Sequence, residues 1–175
     1  MCVANFRAQK RHDLLLEAFS VVRRSVPSAR LVLVGSGPLE AEVRERARRL
    51  GLRDAVEFAG SAADVWDVLA TAWVFALASS YEPLGIVAFE ALAAQVPVVA
   101  FDVGGLNEAV EDAVTGHLLA FPDVGAMAGA ITSLLGDDVR RRRMGVLGAH
   151  TAARHTADTM VRDYYGLYRE LVEAR

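Results

Sequence analysis

One stretch of the chain places a strand, a helix and a second strand in succession: residues 74–101 read VFALASSYEPLGIVAFEALAAQVPVVAF. Two apolar runs, Val74–Ala78 and Pro97–Phe101, have the length of buried strands. They enclose a helix-length segment, for which we predict a helix over Pro83–Ala94, because proline suits the first helical position, where its missing N–H has no cost. The succession predicts a βαβ unit of a parallel sheet.

The same alternation runs through the rest of the 175 residues. We predict further strands at Met1–Asn5, Ala29–Val34, Val56–Ala59 and His117–Ala120. We predict further helices at Arg11–Val26, Leu39–Leu50, Ala63–Ala70, Leu106–Glu111, Val124–Leu135, Val139–Ala149 and Asp158–Ala174. The pattern is typical of an α/β domain over residues 1–175, with a Rossmann-like, doubly wound parallel sheet of about six strands followed by C-terminal helices. The last helix carries an apolar stripe, so we expect it to pack on something.

Two carboxylates, Glu82 and Glu90, lie eight residues apart in the opening stretch. We expect Glu82 just before the helix and Glu90 inside it among apolar residues, where an unpaired carboxylate would cost several kcal/mol, roughly, in desolvation. A helix N-terminus attracts anions such as phosphate, and roughly 9 Å of helix axis from Leu84 to Glu90 matches a diphosphate and the step to a ribose. The alternative is a structural Glu90 that backbone or water satisfies.

Five loops are expected to open on the rim where the strands of such a sheet end and ligands bind. They are Asn5–Lys10, Gly35–Pro38, Gly60–Ser61, Ser79–Gly85 and Asp102–Gly105. Lys10 is the single lysine beside 18 arginines, and a compact ammonium there suits a phosphate, although chance placement is the alternative. Gly104 and Gly105 either form only a tight turn or let the backbone approach a ligand opposite the Glu82 loop.

Composition narrows the class of protein. The net charge of −3 gives no basic field for nucleic acid, and we interpret the run Arg140–Arg143 as a solvated helix face. No apolar run approaches the roughly 20 residues that cross a bilayer, no signal peptide opens the chain, and the single cysteine suits a cytoplasmic protein. No P-loop motif or clustered metal ligands occur, and Gly35 and Gly37 lack the third glycine of a dinucleotide fingerprint. The four histidines are interpreted as surface or helix-end residues.

Several motifs together resemble the carboxyl-terminal domain of GT-B glycosyltransferases of the family 4 type. The likeness covers nearly the whole chain, in order and spacing, and it is carried by Leu31–Pro38, Val56–Gly60, Glu82–Gly85 with Glu90, Pro97–Ala100, Gly104–Glu108 and Thr115–Leu119. The resemblance implies that the chain is one half of a GT-B fold and binds a nucleotide-diphosphate sugar, such as a UDP- or GDP-hexose, for transfer with retained anomeric configuration.

The resemblance also implies roles for individual residues. Glu82 matches the catalytic glutamate that contacts the transferred sugar, and Glu90 matches the one that holds the donor ribose. Lys10 matches the lysine that binds the diphosphate, and Arg7 is a second candidate because Asn5 stands where the family commonly has an arginine. The remaining expected donor-binding residues are Leu84, Gly85, Ile86 and Val87, through their backbone amides, and Gly60, Gly104 and Gly105. Neither a metal nor another cofactor is expected.

An amino-terminal acceptor domain, which GT-B enzymes place across a cleft, is not in this sequence. We therefore expect the chain to need such a domain, in cis or in trans, and to be inactive in transfer without it. Peripheral membrane association through that missing half is a further expectation. Two alternatives stay open at this point: a noncatalytic module that binds sugar nucleotides or partners, and a GT-B-like sugar-nucleotide epimerase.

Overall fold

The computed structural model describes residues 1–62 and 64–173, and it alternates strands with helices. The strands are β1 Cys2–Val3, β2 Leu31–Val34, β3 Val56–Gly60, β4 Phe75–Leu77, β5 Val98–Phe101 and β6 Gly116–Leu119. The helices are α1 His12–Ser25, α2 Glu40–Arg49, α3 Val65–Leu69, α4 Ile86–Ala93, α5 Leu106–Ala109, α6 Val124–Gly136, α7 Asp138–Ala152 and α8 Ala157–Glu173, and a short 3-10 helix, Ala8–Lys10, precedes α1.

All strand pairings between these elements are parallel and form two three-stranded groups, β1-β2-β3 and β4-β5-β6. The two groups meet at Met1 and β4. The Met1 amino group donates to the Val74 carbonyl at 2.8 Å, and the Ala76 N–H donates to the Met1 carbonyl at 2.8 Å. The strands thus follow the order β3-β2-β1-β4-β5-β6, with a topological switch point between β1 and β4. The predicted α/β class and Rossmann-like sheet are confirmed.

Helices cover both faces of this sheet. Because βαβ crossovers are right-handed, α1 and α4 lie on opposite faces where the chain turns outward in opposite directions from the switch point. α1 packs against α6 and α2, whereas α4 packs against α7. All residues of β4 and β5 are buried, as expected for strands covered on both sides.

Two glycines of α7 let it approach α4 closely. A Cβ at Gly145 would lie 2.0 Å from the Gln95 carbonyl oxygen, and one at Gly148 would lie 2.6 Å from Leu92 Cδ2. α7 therefore packs closely against the end of α4, the helix that starts at the rim of the sheet.

The start of α4 differs from the prediction. The helix begins at Ile86 rather than at Pro83, because Gly85 is its N-cap in the left-handed conformation, with φ 72° and ψ 47°, while Pro83 and Leu84 form a bend. A proline signal was thus outweighed by a glycine two residues later, whose lack of a Cβ permits a conformation that other residues adopt at a cost. β1 and α5 are also shorter than predicted.

Two predicted helices touch residues outside the described ranges. Ala63, where one was predicted to begin, lies there, and the helix observed next to it is α3, Val65–Leu69. The predicted end of the last helix, Ala174, lies there as well, and α8 is described to Glu173.

The last helix does not pack on the described part of the chain, so the expectation that it packs on something stays a prediction. None of its described residues is buried. Its exposed apolar side chains are Met160, Val161, Tyr164, Tyr165, Leu167, Tyr168, Leu171 and Val172. Apolar residues at helical spacing indicate that one face of a helix is suited to packing, but they do not identify what covers that face.

The interpretation of residues 140–143 as a solvated face is wrong for Arg141, although Arg142 and Arg143 are exposed. The Arg141 guanidinium is buried, lies 4.1 Å from the centroid of the Trp73 ring and is bonded to Asp138. A planar guanidinium can stack on an aromatic ring, so a run of arginines need not be uniformly hydrated. Within the described part of the chain, no helix combines the length and apolarity needed to cross a membrane.

Candidate functional site

Two loops meet above the switch point, one leading from β1 through the 3-10 helix and one leading from β4 to α4. They are tied together by their backbones, because the Ser80 N–H donates to the Gln9 carbonyl at 2.8 Å. A glycine pair after β2 supports the first loop: a Cβ at Gly35 would lie 2.3 Å from the Ala4 carbonyl oxygen, and one at Gly37 would lie 2.7 Å from that of Phe6. Only glycines allow these loops to lie so close.

A part-buried ion pair joins the two loops. Lys10 Nζ donates to Glu82 Oε1 at 2.5 Å, and the side chains are 18% and 5% exposed. Ser79 Oγ donates to the same carboxylate oxygen at 2.7 Å. A charge this well removed from water requires a partner, and here the partner stands 72 residues away in sequence.

Glu82, not Glu90, is therefore the buried carboxylate. The expectation of a buried Glu90 is wrong, because the inward face of α4 is formed by Ala88, Ala91 and Leu92, and Glu90 lies two residues, or about 200°, around the helix from Ala88. Glu90 is half-buried, and its carboxylate makes no hydrogen bond or ion pair with the described residues. It is free to meet a ligand.

The start of α4 offers unpaired donors beside this pair. The N–H groups of Leu84, Gly85, Ile86 and Val87 donate to no carbonyl within the described ranges. The first N–H groups of a helix lack an intrahelical acceptor and stand at the positive end of its dipole. The arrangement can bind an anion whose other side faces the Lys10 ammonium.

Gly104 and Gly105, which follow β5, press against the backbone of the Glu82 loop. The Gly105 N–H donates to the Glu82 carbonyl at 2.9 Å. A Cβ at Gly104, where φ is 59°, would lie 1.8 Å from that same carbonyl oxygen, and one at Gly105 would lie 2.5 Å from the carbonyl oxygen of Pro83. The close backbone approach that the sequence suggested is therefore made to the protein's own loop.

Arg7 and Gly60 lie on the same rim. Arg7 is exposed, and its guanidinium bonds to no residue in the described part of the chain. Gly60 ends β3 with φ 71°, and a Cβ there would meet nothing within 4 Å. Both leave space for a ligand, and their binding of one stays a prediction.

The sequence alone indicates no role for Ser79, which bonds to Glu82, or for His12, which is buried next to the first loop. His12 begins α1 but is buried, with its ring 4.5 Å from that of Phe6. Burial lowers the pKa of His12 to about 4, with the nearby Lys10 ammonium acting in the same direction and Asp13 opposing it. The spacing of His12 from Leu15, Leu16 and Phe19 puts it on the apolar face, a signal that was present in the sequence.

A separate cavity of about 510 Å³ opens at the other end of the strands. Its lining is mainly apolar, from the starts of β2 and β4 and from α1 and α6, with Arg30 as its charged residue. It lacks the carboxylates, the lysine and the helix start of the rim, so it does not suit a diphosphate. Among the described residues, no group of three or more His, Cys, Asp or Glu side chains could hold a metal ion.

Comparison with known proteins agrees with the fold. The family model described as glycosyl transferases group 1 matches residues 1–149. The chain belongs to that family.

Curated relatives span the chain almost fully. N-acetyl-alpha-D-glucosaminyl L-malate synthase of Bacillus anthracis is 30% identical over 171 residues, covering 97% of this chain and 45% of the relative. The GDP-mannose-dependent alpha-(1-6)-phosphatidylinositol monomannoside mannosyltransferase of Mycolicibacterium smegmatis is 37% identical over 161 residues, covering 87% of this chain and 42% of the relative. The chain thus spans less than half the length of these proteins.

Solved structures share the fold. TarM of S. aureus superposes with a TM-score of 0.90 at 23% identity, over 95% of this chain and 34% of TarM. HepE of Anabaena, solved with UDP and glucose, superposes with a TM-score of 0.84 at 25% identity, over 97% of this chain and 48% of HepE. In both, the matched part is a fraction of a longer chain.

The buried His12 predicts a pH dependence of stability. Its pKa is about 4 in the folded chain and about 6.5 in an unfolded one, so the unfolded chain binds more protons between these values. The free energy of unfolding should therefore fall as pH falls from 6.5 toward 4, by about 2–3 kcal/mol on this account. Urea unfolding across this range, compared between the wild type and His12→Phe, measures the contribution, which should be missing in the variant.

The matched control for this test is His150→Phe, which changes an exposed histidine near the end of α7. It should leave the pH profile of the wild type unchanged. An unaltered profile in His12→Phe would contradict the account.

Because Gly104 packs against the backbone of the Glu82 loop, we predict that a side chain at position 104 is not tolerated. Gly104→Ala and Gly60→Ala both place a Cβ on a left-handed residue, but only the first drives it into the Glu82 carbonyl. We expect Gly60→Ala to lower the free energy of unfolding by about 1–2 kcal/mol and Gly104→Ala by about 3 kcal/mol or more, because the backbone must also move. Equal losses of unfolding free energy in the two variants, measured by chemical denaturation, would show that the close contact of Gly104 does not affect stability.

Proposed function

We propose that the chain is the donor-binding half of a retaining glycosyltransferase and binds a nucleotide-diphosphate sugar at the switch point between β1 and β4. The observation that carries the proposal is the part-buried Lys10–Glu82 pair beside the unpaired N–H groups at the start of α4. The ion pair places a cation beside helix donors that have no acceptor among the described residues. A diphosphate would use both the ammonium and the amides.

The names of related proteins support the choice of ligand class. One relative is named a GDP-mannose-dependent mannosyltransferase, and HepE and the pneumococcal O-GlcNAc transferase GtfA were solved with UDP and a sugar. We therefore propose a UDP- or GDP-hexose as the donor.

Each residue of the rim has a proposed part in binding. The N–H groups of Leu84, Gly85, Ile86 and Val87 face the diphosphate. The Lys10 ammonium has three donors, so the hydrogen bond to Glu82 leaves two for phosphate oxygens. The unpaired carboxylate of Glu90, about one turn farther along α4, accepts from ribose hydroxyls. Arg7 and Gly60 border the proposed site, and Gly104 and Gly105 contribute by holding the Glu82 loop in place.

In transfer, the bond between the anomeric carbon of the sugar and the diphosphate breaks, an acceptor hydroxyl oxygen forms the new bond on the same face, and the hydroxyl proton passes to the leaving diphosphate. The nucleoside diphosphate leaves with the electron pair. Its growing negative charge would be stabilised by Lys10 and the α4 amides, which are held in place before reaction, so no metal or other cofactor is required in this proposal. Glu82 contacts the sugar as it is transferred.

The acceptor would be held by a second domain, in cis or in trans. The chain covers 45% and 42% of the two relatives described above, which leaves length for such a domain in proteins of this kind. The uncovered apolar side of α8 offers a surface for its packing. Any association with a membrane would pass through that domain, and we place the donor site on the cytoplasmic side.

The direct test is calorimetry of the 175-residue chain with UDP, GDP, ADP and their sugars, with a turnover assay beside it. We expect binding of at least one nucleoside diphosphate without sugar transfer, because transfer needs both reactants positioned together. Lys10→Ala should weaken diphosphate binding by about 1.5–3 kcal/mol while barely changing nucleoside binding, with both affinities taken per folded molecule because the variant leaves Glu82 without its cation. No binding to any nucleotide would refute the donor site, and efficient transfer by the chain alone would refute the half-enzyme proposal.

Substitution of Glu90 distinguishes a role in ligand binding from a structural role. Because its carboxylate lacks a partner within the described ranges, Glu90→Gln should leave thermal stability unchanged or slightly raised while lowering ribonucleotide affinity by about 1–3 kcal/mol. The wild type should lose more affinity than the variant when the 2′-hydroxyl of the nucleotide is removed. Additive losses in this cycle would mean that Glu90 and the ribose do not touch.

A further inference from the structure

The two donors to Glu82 converge on one of its oxygens. Lys10 Nζ and Ser79 Oγ both bond to Oε1, at 2.5 and 2.7 Å. Oε2 accepts no hydrogen bond from residues 1–62 or 64–173. The fully buried, unpartnered side-chain polar atoms of these residues are Arg46 Nε and Arg141 Nη1, so Oε2 keeps contact with solvent.

This asymmetry fixes the direction of the carboxylate. The terminal torsion of a glutamate is broad, so a single bond to a flexible lysine would leave its two oxygens free to exchange. Ser79 lies two residues beyond β4 and is itself 1% exposed. Its short side chain, on a buried backbone, holds Oε1 from the side of the sheet, while Lys10 holds it from the neighbouring loop.

We propose that Ser79 is a positioning residue that orients the Glu82 carboxylate so that Oε2 accepts a hydrogen bond from a hydroxyl of the donor sugar. The inference rests on the proposed function, and it adds how the glutamate is oriented. Ser79 is too buried to touch the ligand, so it acts through Glu82. Its effect should therefore appear in the affinity for the sugar part of the donor and not in that for the nucleoside diphosphate.

The chain supplies a matched control next to it. Ser80 is exposed, and its hydroxyl contacts the Gln9 carbonyl at 3.3 Å instead of Glu82. Ser79→Ala and Ser80→Ala remove the same atom from adjacent residues, and only the first removes a bond to the carboxylate.

The experiment compares the calorimetric affinities of wild type, Ser79→Ala and Ser80→Ala for UDP-glucose, GDP-mannose, UDP and GDP. We expect Ser79→Ala to weaken binding of the preferred nucleotide sugar about five- to tenfold, the effect of one typical hydrogen bond, with nucleoside diphosphate affinity within about twofold of wild type. Ser80→Ala should change neither. Ser79→Thr, which keeps the hydroxyl, should recover most of the loss.

Two binding results overturn the proposal: wild-type affinity of Ser79→Ala for both ligand classes, or equal losses for both, which would mark a structural serine. A crystal structure of ligand-free Ser79→Ala tests the orientation without any ligand. The Glu82 carboxylate should turn away from its wild-type orientation, and an unchanged orientation contradicts the inference. If the wild type bound no nucleotide, the proposed function would fail while this structural comparison would still decide the role of Ser79.

Discussion

The ion pair between Lys10 and Glu82 is the interaction on which the rim depends. It joins the loop that follows β1 to the loop that follows β4, across the point where the sheet reverses its order. A carboxylate that is 5% exposed is tolerated only with a close partner. The glycines at positions 35, 37, 104 and 105 let the loops approach closely enough for that partner to reach it.

The sheet was predictable because its signals are local. Apolar runs such as Val98–Phe101 have one interpretation when helix-length segments flank them, and the handedness of crossovers then restricts the strand order. The start of α4 was not predictable from the proline rule, since Gly85 could take a left-handed conformation that makes the following residue the first of the helix. The residue at which a helix begins or ends depends on the backbone angles of individual residues. Apolar periodicity is insensitive to those angles.

The candidate site was predictable in its members more than in its arrangement. Lys10, Glu82 and the N–H groups of residues 84–87 were expected together and lie on one rim. The burial of Glu82 instead of Glu90 depends on contacts between elements that are distant in sequence. The roles of Ser79 and His12 depend on such contacts as well. A serine two residues beyond a strand carries no signal of its own until its neighbour across the loop is known.

The most direct measurement of the central claim is an amide NMR titration of the chain with UDP or GDP. We expect the largest shift changes on Lys10 and on residues 84–87, on both sides of the switch point. Changes confined to the apolar cavity at the opposite ends of the strands, around Phe19 and Val74, would contradict the claim, as would a spectrum that does not change at all.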